Sequence, residues 1–79
     1  MNRQETISLL KEIIVTCGSF YNAQAVSIVH DKTRNTWELH AYCTPHSSEV
    51  DCLKQIVTKH DLEMIISNDM TVFRSIVNI

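Results

Sequence analysis

Ala25-Val26-Ser27-Ile28-Val29-His30-Asp31-Lys32-Thr33-Arg34-Asn35-Thr36-Trp37-Glu38-Leu39-His40-Ala41-Tyr42-Cys43 is the stretch that decides the fold. Two runs rich in β-branched and aromatic residues flank the polar Lys32–Asn35 segment, which is the pattern of a β-hairpin. A loop of that length sets Asp31 opposite Thr36, and this one pairing fixes the rest of the register. His30 then faces Trp37, Ile28 faces Leu39 and Val26 faces Ala41 on one side. Ser27, Val29, Glu38, His40 and Tyr42 occupy the other. The division is nearly apolar against polar, so the expected hairpin has one face for a core.

Upstream, Ile7, Leu10, Ile13, Ile14 and Cys17 recur at three- and four-residue intervals, the spacing of an amphipathic helix over 3–17. Asn2 and Glu5 have the spacing of a capping box, and Gly18 stands where a helix needs a left-handed residue to stop. Ser19 to Gln24 reads as a connector. Downstream, Pro45 cannot donate to a strand ladder and ends the hairpin. Ser48 is the expected N-cap of a second helix, with Glu49 and Asp51 in its first turn and Val50, Leu53, Ile56 and Val57 as its apolar stripe. A second hairpin follows, from Leu62–Ser67 through Asn68-Asp69 to Met70–Val77. Its tight turn places Met64 opposite Phe73, Ile66 opposite Thr71 and Glu63 opposite Arg74.

The element order is therefore αββαββ. The fold class is α+β: a two-layer sandwich in which a four-stranded antiparallel sheet carries both helices on one face. Residues 1–79 are expected to form one domain. Leu10-Lys11-Glu12-Ile13-Ile14 and Leu53-Lys54-Gln55-Ile56-Val57 each precede a hairpin, the pattern an internal duplication would leave.

Seven Lys/Arg against nine Asp/Glu give a net charge of −2, spread along the chain without a basic stripe. Nucleic acid is disfavoured as a partner on that ground, because phosphate binding needs clustered cations. The first residues interrupt any leader-like apolar core, and no run approaches the ~20 apolar residues of a membrane helix. Three cysteines without framework spacing suit a reducing compartment, so the expected location is the cytoplasm. The single glycine leaves no Gly-rich phosphate loop, and a chain of this length has little room for an enzyme's usual pocket of ~300–1,000 Å³.

Two constellations remain as candidate sites. The sheet face turned away from the helices carries Val29, Ile65, Val72 and Ile76 as an apolar band, with His40, Tyr42 and Arg74 at its rim. Such a band suits self-association into a homodimer or the docking of a protein partner, without a cofactor. The alternative is a metal-binding or thiol-dependent role centred on Cys43 and His46. There His40, Cys43, His46 and Cys52 supply imidazole and thiolate, the donors zinc prefers. His40 and Cys43, three apart on a strand, start on opposite faces, so only a bend near Pro45 would gather the set.

Overall fold

A computed structural model describes residues 1–18 and 26–76. The connector at 19–24, the first residue of the expected first strand and Val77 lie outside them. The elements follow in the expected order: α1 (Arg3–Cys17), β1 (Val26–Asp31), β2 (Thr36–Ala41), α2 (Ser47–Lys59), β3 (Leu62–Ile66) and β4 (Thr71–Ser75). Among these residues no helix is long and apolar enough to cross a membrane.

Local chemistry accounts for most of the boundaries. The Glu5 N–H donates to Asn2 Oδ1 (2.7 Å) and the Asn2 N–H donates back to the Glu5 carboxylate (2.9 Å), so the capping box forms in full. At the other end Gly18 takes the left-handed conformation (φ 65°), and its N–H closes on the Ile14 carbonyl. The second helix starts earlier than its Ser48 cap would have it: Ser47 is already helical and His46 is the N-cap. The reason is Glu49, whose carboxylate accepts the His46 N–H (3.2 Å) while its own N–H donates to the His46 carbonyl (2.9 Å).

In the first hairpin loop, Asp31 Oδ1 accepts the N–H groups of Thr33 and Arg34, and Asn35 (φ 52°) turns the chain back. Every residue pair expected for β1 and β2 is found, from Asp31↔Thr36 to Val26↔Ala41. The β3–β4 register is likewise the expected one, including Glu63↔Arg74 and Met64↔Phe73. β2 ends at Ala41, two residues short of the sequence expectation, and just beyond it the Thr71 hydroxyl donates to the Cys43 carbonyl at 2.9 Å.

The strand order is β1-β2-β4-β3, all neighbours antiparallel. It is unchanged when the two halves are exchanged, as a duplicated αββ unit requires. β2 and β4 pair from Ala41↔Thr71 to Leu39↔Phe73. Past that point the N-terminus joins them: the Trp37 N–H donates to the Met1 carbonyl (2.9 Å), and the Met1 ammonium donates to Thr36 Oγ1 and Ser75 Oγ.

Leu9 and Ile13 of α1, Leu53, Ile56 and Val57 of α2, and Leu39, Leu62 and Phe73 of the sheet form the buried core. Both helices thus cover the same face. They run antiparallel and are tied at two levels. Cys17 is disulfide-bonded to Cys52 across a Cα separation of 5.8 Å. Toward the other end of α2, Glu12 of α1 accepts hydrogen bonds from Lys59 (3.0 Å) and His60 (2.8 Å). Two of the cysteines read as free thiols are therefore a crosslink, and the sequence argument for a reducing compartment loses its footing.

Candidate functional site

The face of the sheet away from the helices has no layer of described residues over it. Alternation places Ser27, Val29, Glu38, His40, Glu63, Ile65, Val72 and Arg74 there, and the pairing sets them in rows across the strands. One row runs Ser27, His40, Val72, Ile65. Val29 and Glu38 are paired in the next, as are Arg74 and Glu63.

This arrangement breaks up the band suggested by the sequence. Val72 and Ile65 are neighbours, but β2 separates them from Val29, and Arg74 stands between Val72 and Ile76 along β4. Of the apolar residues expected on this face, Tyr42 (49 % exposed), Ile65 (40 %) and Ile76 (49 %) reach solvent, the first and last from just past the ends of β2 and β4. Val72, only 9 % exposed, belongs to the floor of the face rather than to its surface. Val29 is half-buried.

The centre of the face is ionic, which strand alternation alone does not reveal. Glu38 is 7 % exposed, an unusual depth for a carboxylate on an uncovered sheet. His40 Nε2 lies 2.9 Å from Glu38 Oε1, and the Arg34 guanidinium comes from the hairpin loop to within 3.8 Å of Oε2. Arg34 is held there by a 2.6 Å hydrogen bond from its Nη2 to the Ser75 carbonyl, while its Nε is buried without a hydrogen-bond partner. Nothing in the structure accounts for that last atom. Beside this group, Arg74 Nε donates to Glu63 Oε1 across β4 and β3. His40 and Arg74, expected at the rim, are thus engaged in pairs at the middle. The signal that could have found this was Arg34 four residues before Glu38, a spacing that matters once the loop folds back.

The four candidate metal ligands are not gathered. His40 sits on the uncovered face against Glu38, and His46 caps α2. Cys52 is bonded to Cys17, leaving no thiolate, and Cys43 follows the end of β2. Among the described residues no group of three or more His, Cys, Asp or Glu could hold a metal ion. Burial pushes the Cys43 thiol above its ordinary pKa, and the nearby Glu49 charge adds to that. At neutral pH it is a protonated, weakly nucleophilic thiol.

A groove of about 200 Å³ lies away from the uncovered face, between α1 and the start of β3. Met1, Leu9, Glu12, His60 and Leu62 are among its lining residues, and it is smaller than a typical small-molecule site. Glu12 in its wall is held below the usual carboxylate range, first by the His60 hydrogen bond and then by Lys59. This carboxylate is already occupied by its neighbours.

The chain matches no protein-family model, no curated protein and no solved structure.

Proposed function

We propose that this chain is a small non-catalytic binding domain that acts through protein–protein contacts and self-associates through the uncovered side of its sheet. One observation supports the reading: Ile65 stands in solvent on a face that no described layer covers, with Tyr42 and Ile76 exposed just past the ends of β2 and β4. Burying apolar surface of this kind yields ~25 cal/mol per Å², and a short chain gains from a partner because its own core is small. The ion pairs at the centre of the face suit a specificity role. Glu38 with His40, and Glu63 with Arg74, already satisfy one another, so a partner meets no bare buried charge.

Homodimerisation follows as the simplest form of such an assembly. A cytoplasmic location remains compatible with this role and has a consequence: there Cys17 and Cys52 would be a dithiol, and the dimer would have to hold without their bond.

The reading is tested by light scattering on the eluted protein. The double substitution Tyr42→Lys with Ile76→Lys should convert a dimer to a monomer while the circular dichroism spectrum stays unchanged. A dimer that persists in the doubly charged variant removes the part assigned to Tyr42 and Ile76.

A further inference from the structure

The uncovered face ends at β3, an edge strand, and this edge has the features of a pairing surface. The Ser67 N–H donates to the Met70 carbonyl at 2.8 Å, closing the two-residue turn. Hydrogen-bonded and non-hydrogen-bonded pairs alternate along an antiparallel ladder, so Ile65↔Val72 and Glu63↔Arg74 are the bonded pairs. The N–H and C=O groups of Leu62, Met64 and Ile66 therefore point outward, where no other described strand lies.

Natural edge strands are blunted by lysine, proline, a bulge or a covering loop. β3, Leu62-Glu63-Met64-Ile65-Ile66, has no lysine, proline or bulge, and its one charge is already paired with Arg74. Instead it exposes two consecutive isoleucines, Ile65 (40 %) and Ile66 (41 %), one toward each face of the sheet. On the opposite edge the β1 side chains are largely half-buried, and the exposed His30 lies against Trp37 at 5.0 Å between ring centroids.

The geometry points to antiparallel pairing of β3 with β3 of a second copy, giving one eight-stranded sheet about a two-fold axis at Ile65. This inference rests on the self-association proposed above but seats it at the β3 edge, where Tyr42 and Ile76 stay outside the interface and their lysine variants leave the dimer intact. The sequence of β3 selects both partner and register. With Ile65 opposite its own copy, Met64 meets Ile66 of the other chain twice, so every central pair is apolar. Glu63 then meets Ser67 rather than another Glu63, which avoids like charges in contact. A slide by two residues would set Glu63 against Ile65 in one direction and against the like-charged Asp69 in the other. A shift by one would bring the helix-covered face of one copy onto the open face of the other. The outward Met64 and Ile66 groups are those that this register bonds across the axis. The two uncovered faces become one continuous surface.

Proline separates this mode from face-to-face contact. At Ile66 it removes an outward N–H but leaves the β3–β4 ladder whole, the setting in which strand proline is tolerated. Sedimentation equilibrium on the full chain should show the Ile66→Pro dimer weakened roughly thirtyfold, from two symmetric hydrogen bonds lost. Ile66→Lys, which keeps the backbone donor but charges the edge, should also weaken it and serves if the proline variant does not fold. Concentration-dependent slowing of hydrogen exchange at the Met64 and Ile66 amides should accompany dimer formation. A dimer that tolerates Ile66→Pro and Ile66→Lys but dissociates on Tyr42→Lys with Ile76→Lys overturns the edge pairing and leaves the face as the interface. A wild-type chain that stays monomeric overturns both.

Discussion

The two faces of this sheet are built from the same strands and solve burial in opposite ways. On the covered face, Leu39 and Phe73 pair across β2 and β4, fully enclosed by α1 and α2. One residue along, the same strands put His40 against Val72, and Glu38 lies buried under Arg34 and His40 with no helix above it. Apolar side chains on the first face are held by packing, which is non-directional and lost in proportion to the volume removed. Polar side chains on the second are held by specific pairs, where removing one member strands the other. The covered face should therefore set whether the chain folds, and the uncovered face what it meets.

The largest break in this contrast should come from Phe73→Ala. Truncating a fully enclosed aromatic costs ~3–5 kcal/mol, comparable with the whole stability of a domain this small. Urea denaturation followed by circular dichroism should find the variant mostly unfolded at 25 °C. Next in size is the Cys17–Cys52 bond. It closes a loop of 35 residues in sequence separation, which on the chain-entropy model stabilises by on the order of 4 kcal/mol. Adding reductant, or substituting both cysteines by serine, should lower the melting temperature to the same value.

On the uncovered face the effects shrink. Glu38→Ala strands Arg34 and His40 together and should cost ~1.5–3 kcal/mol in the same urea experiment. Tyr42→Lys with Ile76→Lys should change monomer stability by less than ~0.5 kcal/mol, since surface substitutions away from buried partners rarely do more. The smallest effect is at Glu12. Its pKa is lowered in the folded chain, so its contribution is present above the unfolded carboxylate pKa and is lost as pH falls through the folded value. Glu12→Gln should lower stability slightly near neutrality and leave it unchanged in acid, so that the acid limb of the stability curve flattens. A limb that keeps its shape would show that the Lys59–Glu12–His60 contact contributes nothing to folding.

Legibility in the sequence follows the range of the interactions. The β1–β2 register, the Asn2–Glu5 box, the Gly18 stop and the Asn68-Asp69 turn depend on residues within a few positions of one another, and all could be read directly. The second helix's cap was misplaced because two overlapping signals, Ser48 with Asp51 and His46 with Glu49, compete at that site. Only the folded backbone shows which carboxylate closes. The Cys17–Cys52 bond escaped because each cysteine alone is a small apolar residue beside a helix stripe. Their meeting depends on the helices being antiparallel at one height, which periodicity does not encode. The candidate face was half legible. Strand pairing puts Val29, His40, Ile65, Val72 and Arg74 on one face, as alternation predicts, but alternation does not give the depth of Glu38 and Val72, which comes from Arg34 folding back and from Val72 sitting between His40 and Ile65. The four metal-type residues lie within one short stretch of sequence and are separated in the fold by strand parity, a cap and a disulfide.

The most direct test of the account is sedimentation equilibrium of the untagged, oxidised wild-type chain over a wide concentration range. A reversible rise from the monomer mass to twice that mass is the predicted result. A mass that stays at one chain up to the highest soluble concentration would contradict the claim that the uncovered side of the sheet is a self-association surface.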